Sequence, residues 1–209
     1  MISSICGLPG AGKTTVLTWC ALRALAGKPL FIGHRPFWTV SLQEFKSYQA
    51  VFTTFPLRGC YRFDYEETAG IFKYEHSLIL IDEMSHFQDN RDFRTYTPEK
   101  KYFWSMMRHT FCDVIWCSQS FRDCDIKIRN MTNQVFLIEK RPRDRSRIIP
   151  IKLEQNPKSD DIAIKYTLAP RPYRTTLNRK KLYSEFDSFI YKDLPPVVPI
   201  PWIFNDSEK

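Results

Sequence analysis

Glycine is scarce in this chain: seven residues in 209, three of them between positions 7 and 12. That scarcity, with fourteen prolines that follow no period, excludes collagen-like and repeat architectures. No apolar run approaches the ~20 residues needed to cross a bilayer. No basic segment followed by an apolar stretch opens the chain as an export signal would. The six cysteines form no disulfide framework: Cys6, Cys20, Cys112 and Cys117 lie inside apolar segments, where they behave as small hydrophobes. A reducing, cytosolic setting follows. Acids are outnumbered, 23 against 31 Lys and Arg, for a formal charge of +8. The excess favours a polyanionic partner; nucleic acid, an acidic membrane surface or plain solubility each account for it. What is present, 43% hydrophobic and 15% aromatic residues, suits one globular domain and excludes a disordered chain.

Ile2 to Cys6 is a short apolar run that ends at Gly7. From Lys13 the residues Val16, Leu17, Cys20, Ala21, Ala24 and Leu25 recur at helical spacing, with Gly27 placed as a C-cap glycine. Pro29 to Gly33 restarts as a strand, so the order strand, glycine loop, helix, strand predicts the start of a βαβ unit. Ala50–Phe55 and Cys60–Phe63 are candidate strands, and Glu66–Phe72 a short helix. Leu78–Ile81, closed by Asp82-Glu83, reads as a central parallel strand covered on both faces. Gln88–Tyr96 is polar and reads as a loop. Thr97-Pro98-Glu99 supplies an N-cap, a proline at the first helical position and an acid in the first turn, for a helix to about His109. Asp113–Cys117 and Gln134–Ile138 are further buried strands. The domain plan is an α/β core over 1–140 and a basic, proline-containing extension over 141–209 packed on it. That extension has strand patterns at Ile148–Leu153 and Ile162–Leu168, and an extended tail from Leu194 to Trp202.

Gly7-Leu8-Pro9-Gly10-Ala11-Gly12-Lys13-Thr14 fits the pattern G-x-x-x-x-G-K-[ST]. Such a loop folds backbone N–H groups inward around a phosphate, and side chains at its glycines would obstruct it. The following helix, with Thr15 in its first turn, adds its positive end. Lys13 is expected at the β- and γ-phosphates and the Thr14 hydroxyl at Mg²⁺. Asp82 arrives at the end of its strand in position to hold the metal shell, and Glu83 to orient and polarise an attacking water. The adjacent glutamate marks water-activating ATPases, whereas the Asn-Lys-x-Asp that selects guanine is absent. Gln119, after Ser118, is a candidate γ-phosphate sensor, with an ordinary strand-end residue as the alternative. Arg108 and Arg129 are candidate sources of transition-state charge, with a solvated or structural role as the alternative for either.

The succession of this loop, Ile81-Asp82-Glu83, Arg108-His109, Asp113-Val-Ile, Ser118-Gln119, Asp125-Ile-Lys-Ile-Arg129 and Tyr183-Ser-Glu-Phe-Asp187 resembles the N-terminal ATPase domain of the zonular occludens toxin (Zot) family. This family contains the gene I assembly proteins of filamentous phages and is related to FtsK/HerA-like motors. The resemblance spans roughly residues 1–190. It implies a RecA/ASCE-like P-loop NTPase with a mainly parallel sheet flanked by helices and an irregular C-terminal extension. It also implies ATP and Mg²⁺ as cofactors, and work on viral DNA export, packaging or virion assembly by a homo-oligomeric ring. The setting implied is the host cytoplasm or, through phage assembly partners, the inner membrane. Asp82 and Glu83 inherit the metal and catalytic places, Gln119 the sensor-like place, and Arg129 matches a family arginine. Two departures stand out. Members commonly carry Gly where this chain has Phe111, and they commonly continue into a transmembrane helix and outer domain, whereas this chain stops at Lys209.

Two rivals retain the phosphate loop: a small-molecule kinase, and an ATP-gated scaffold without turnover. Other signals are weaker. His109, Cys112, Cys117 and Cys124 lack the paired spacing of a zinc site and read as packing. The run Lys140–Arg147 offers phosphate contacts, with Tyr166, Tyr173 and Tyr183 for stacking, or is a solvated loop diluted by Glu139 and Asp144. The proline tail either meets a partner or lies across the core, anchored by Trp202 and Phe204.

Overall fold

The apolar runs of the sequence become the middle of one sheet in a computed structural model. It describes residues 1–34, 38–41, 47–65, 74–88, 97–107, 109–155, 162–168 and 175–185. Five strands, β1 (Ile2–Cys6), β4 (Ala50–Thr53), β5 (Tyr61–Arg62), β6 (Ser77–Ile81) and β7 (Asp113–Ser118), are joined in parallel with β8 (Gln134–Arg141). Three more, β9 (Arg145–Gln155), β10 (Ile162–Leu168) and β11 (Thr175–Asn178), add antiparallel strands beyond β8. The resulting order is β10-β9-β8-β1-β7-β6-β4-β5, with β11 also beside β9. The strand patterns at Ile148–Leu153 and Ile162–Leu168 thus extend the sheet itself.

Period-2 alternation sorts the apolar side chains onto two faces. Ile5, Leu78, Leu80, Ile115, Cys117, Phe136 and Ile138 pack with Val16, Leu17, Cys20, Ala21 and Ala24 of helix α1 (Lys13–Leu25). Ile79, Ile81, Val114, Trp116 and Val135 face the other way, against Phe103 and Trp104 of α2 (Pro98–Met106) and Ile128 of α3 (Ile126–Met131). Both faces of β6 and β7 are therefore dry, which is why those strands read as continuous apolar runs. The helix start read at Thr97 is present: its hydroxyl accepts from Lys100 N and Pro98 opens α2, which ends at Met106 rather than near His109. The short α3 carried no periodic signal in the sequence and begins at the Asp125 cap.

One expectation is corrected. Pro29–Gly33 does yield a strand, β2 (Phe31–His34), but it pairs antiparallel with β3 (Trp38–Ser41) in a separate two-stranded ribbon. Both edges of β1 are taken by β7 and β8, so no edge is left there for β2 to complete a βαβ pair. The helix read at Glu66–Phe72, most of the loop Gln88–Tyr96, Arg108, Tyr173 and the proline tail lie outside the described residues. No helix among the described residues is long and apolar enough to cross a membrane.

The turn before β7 is closed without glycine. Phe111 takes φ +53° and His76 φ +50°, both left-handed, and their rings stack at 5.0 Å and 7°. A position where glycine is common in the resembling family is here held by a strained phenylalanine.

Candidate functional site

Parallel strands deliver their following loops to one edge, and here β1, β6 and β7 are neighbours. Cys6 lies opposite Ser118 and Ile81 opposite Trp116, so the loops starting at Gly7, Asp82 and Gln119 leave the sheet side by side. Gly7 N donates to Ser118 O at 3.3 Å, which ties the first of these loops to the end of β7.

The loop Gly7–Gly12 needs its glycines for space as well as for conformation. A Cβ on Gly7 would stand 2.6 Å from Ile138 O, and one on Gly12, at φ +98°, 2.5 Å from Ser146 Oγ. Leu8, Pro9 and Gly10 are exposed, whereas Ala11 is buried. Gly12 caps α1 with no side-chain hydrogen bond, and the first turn holds no acid. A helix start of that kind presents N–H groups and a partial positive charge suited to an anion.

Lys13 and Thr14 point from the start of α1 to the acidic pair. The Lys13 ammonium is buried, donates to Gly7 O at 3.0 Å and lies 4.0 Å from Glu83 Oε2. Thr14 Oγ1 donates to Asp82 Oδ2 at 2.6 Å. Thr15 is buried on the inner side of the helix. Asp82 is itself fixed: its N–H donates to Thr54 Oγ1 at 2.8 Å, and its Oδ1 accepts from Glu83 N at 3.1 Å. The hydroxyl and carboxylate facing each other are hard oxygen donors of the kind Mg²⁺ takes, so the residues present fit that ion.

Glu83 is strained. It holds φ +49° and ψ +59°, a left-handed conformation that costs a non-glycine residue about 1–2 kcal/mol. Ser85 Oγ donates to its Oε1 at 3.1 Å, and Glu83 keeps its carboxylate within reach of Lys13. Backbone strain of this sort persists where the surroundings over-determine a side chain's direction.

Gln119 is exposed just beyond β7. Arg129 sits elsewhere, buried on α3 and near enough to Cys124 to act on its thiol. Beneath the loop, burial pushes the Cys6 thiol up to about 12, so it stays neutral. All six cysteines are buried and free.

Three contributors were not legible in the sequence. Thr54, the residue just beyond β4, accepts from the Asp82 amide. Ser146 Oγ donates to Ala11 O at 2.5 Å, and Arg179 Nη1 to Gly10 O at 3.0 Å. Ser146 lay inside a run read for its charge, and Arg179 inside the basic stretch Arg179–Lys181.

No protein-family model and no curated protein matches the chain. Among solved structures, the N-terminal domain of zonular occludens toxin from Neisseria meningitidis superposes with a TM-score of 0.52 at 17% identity, covering 89% of this chain and 98% of that one. The genome-packaging NTPase B204 of Sulfolobus turreted icosahedral virus 2, solved with ATP-gammaS, matches less closely: TM-score 0.46, 12% identity, 78% of this chain and 95% of that one. The DNA-packaging ATPase B204 of Sulfolobus turreted icosahedral virus gives 0.43 at 13% identity, covering 78% and 95%. With its mainly parallel sheet, flanking helices and glycine loop between β1 and α1, the chain has a Zot-like P-loop NTPase fold.

Proposed function

We propose that this chain is a magnesium-dependent ATPase whose hydrolysis drives phage morphogenesis, through export or packaging of viral DNA or assembly of the virion. The observation that carries the reading is the convergence of Thr14 on Asp82 and of Lys13 on Glu83 at the rim of one glycine loop. Residues 7–15 hold the triphosphate, through the loop N–H groups left unpaired at the start of α1, and Lys13 leaves Gly7 O to meet its outer phosphates. Thr14 and Asp82 hold Mg²⁺. Bound there, the ion supplies charge neutralisation at the phosphate oxygens. Glu83 orients the attacking water and accepts its proton, a role typically worth 10²- to 10⁴-fold in rate. Gln119 senses the γ-phosphate, and Arg129 would reach transition-state charge only by leaving its buried place on α3.

The setting follows from the sequence resemblance and the net charge of +8: a homo-oligomeric ring acting on viral DNA in the host cytoplasm, joined to the inner membrane through phage partners. Residues 1–140 form the catalytic core, and 141–209 an extension whose strands β9, β10 and β11 continue its sheet.

Phosphate release by the wild type and by Glu83→Gln, with and without single-stranded DNA, tests this. The variant is expected to bind ATP and lose at least about 100-fold in turnover. Unchanged turnover would remove Glu83 from the chemistry. ATP consumption that requires an added acceptor would point to a kinase, and tight binding without phosphate release to a scaffold.

A further inference from the structure

The outer side of the phosphate loop is held from far away in the chain. Ala11 O accepts from Ser146, 135 positions on, and Gly10 O from Arg179, 169 positions on. Both donors are buried: Ser146 is fully enclosed, and Arg179 is 7% exposed. Each is also fixed by its own surroundings. Ser146 lies in β9 between Lys140 of β8 and Leu177 of β11. Arg179 N donates to Asp144 O at 2.8 Å, and its Nη2 lies 3.6 Å from Asp144 Oδ1. Asp144 in turn sits in the β8–β9 turn, where it and Arg143 take φ of +50° and +60°.

A carbonyl tied down on one side of a peptide unit fixes the direction of the N–H on the other, because the unit is planar. Ala11 N donates to Leu8 O at 3.1 Å and closes one turn of the loop, but Gly10 and Gly12 have no side chains to restrict their backbone, so outside contacts on the Gly10 and Ala11 carbonyls narrow the arrangements the loop samples. We propose that Ser146 and Arg179 are positioning residues for the nucleotide. Their hydrogen bonds select the loop arrangement that binds phosphate, and couple the docking of the C-terminal strands to ATP affinity. The proposal rests on the ATP-binding reading above and names its regulation. If only a fraction of molecules holds the competent loop, the apparent dissociation constant rises by the inverse of that fraction. Coupling is reciprocal, so bound nucleotide must also tighten the docking of residues 175–182.

Calorimetric titration of the full chain with magnesium and the non-hydrolysable analogue AMPPNP tests this. The proteins compared are the wild type, Ser146→Ala, Arg179→Ala, Arg179→Lys and Lys180→Ala, with unfolding midpoints of the ligand-free proteins alongside. Loss of the charged donor is expected to weaken binding about tenfold in Arg179→Ala, with a smaller loss in Ser146→Ala. Arg179→Lys should recover part of the loss, because an ammonium can still reach Gly10 O but lacks the fork that also meets Asp144. Lys180, 71% exposed and 3.8 Å from Asp144, touches the same aspartate without touching the loop, and its removal should leave affinity unchanged. In turnover assays KM should rise more than kcat falls. Amide exchange over residues 175–182 should slow when AMPPNP binds the wild type, and not in Arg179→Ala. A wild type that binds while the Ser146 and Arg179 variants bind equally well overturns the proposal and leaves the ATP reading intact. If Arg179→Ala does not fold, wild-type exchange over 175–182 that is indifferent to AMPPNP overturns it alone. A wild type that binds no nucleotide at all overturns the ATP reading, and this coupling with it.

Discussion

The parallel strands β1, β6 and β7 and the antiparallel strands β9 and β11 belong to one sheet, but they serve the phosphate loop in different ways. Every residue of β1, β6 and β7 is buried, and each strand ends at residues of the proposed site: Gly7–Gly12, Asp82-Glu83 and Gln119. β11 alternates half-buried and exposed residues, and with β9 it reaches the same loop from outside through Ser146 and Arg179. The proposed reacting groups therefore sit at the ends of neighbouring strands that are buried along their whole length. The restraint on them comes from segments later in the chain that touch the loop through the Ser146 and Arg179 hydrogen bonds.

Stability separates the two regions most strongly. Leu80→Ala, fully buried in β6 between parallel neighbours, should cost ~2–5 kcal/mol in urea unfolding, whereas Leu177→Ala in half-exposed β11 should cost less than half as much. Equal losses would abolish the distinction. Gly12→Ala forces the two regions against each other, since its Cβ would meet Ser146 Oγ at 2.5 Å and Arg179 Cδ at 2.8 Å in a left-handed backbone. ATP affinity should fall by about 100-fold or more from clash and strain together. A calorimetric titration checks it.

The cysteines sharpen the comparison by pH, because all six precede β8. Burial holds the Cys6 and Cys60 thiols at about 12 in the folded chain, against 9.0 for a free thiol. A group with a raised folded value contributes fully below the free value and loses its contribution as pH rises toward the folded one. Stability should thus be flat to pH 9 and then fall between 9 and 12, by up to about 1.4 kcal/mol per thiol for each pH unit. Urea midpoints at pH 8, 9 and 10 measure this, and a flat profile to pH 10 would contradict it. The smallest effect is expected at Phe111→Gly. Relief of the left-handed backbone offsets the lost stack on His76 and the greater freedom of glycine in the unfolded chain. The net change in unfolding free energy should stay within about 1 kcal/mol.

Legibility in the sequence followed the same divide. Leu78–Ile81 and Asp113–Cys117 announce themselves because both their faces are covered, and the phosphate loop because a tight anion cradle admits few residue types. Those local patterns placed Thr14 and Asp82 as ligands of one magnesium ion; their direct hydrogen bond was not part of that reading. β2 was misplaced because strand propensity carries no record of which sheet edges are already taken. Ser146 and Arg179 were missed because nothing about a serine or arginine on its own states which carbonyl, more than a hundred positions away, it will meet. The strain at Glu83 was equally silent, since a left-handed glutamate has the same letter as a helical one.

The central claim is that Thr14 and Asp82 hold one magnesium ion at the mouth of the loop. It is tested most directly by the ratio of ATP affinity with magnesium to that with EDTA, in the wild type, Thr14→Ala, Asp82→Asn and the double variant. The wild type is expected to gain from the metal, each single variant to lose most of that gain, and the double variant to lose little more, as two ligands of one ion must. A wild type indifferent to magnesium, or single losses that simply add, would contradict it.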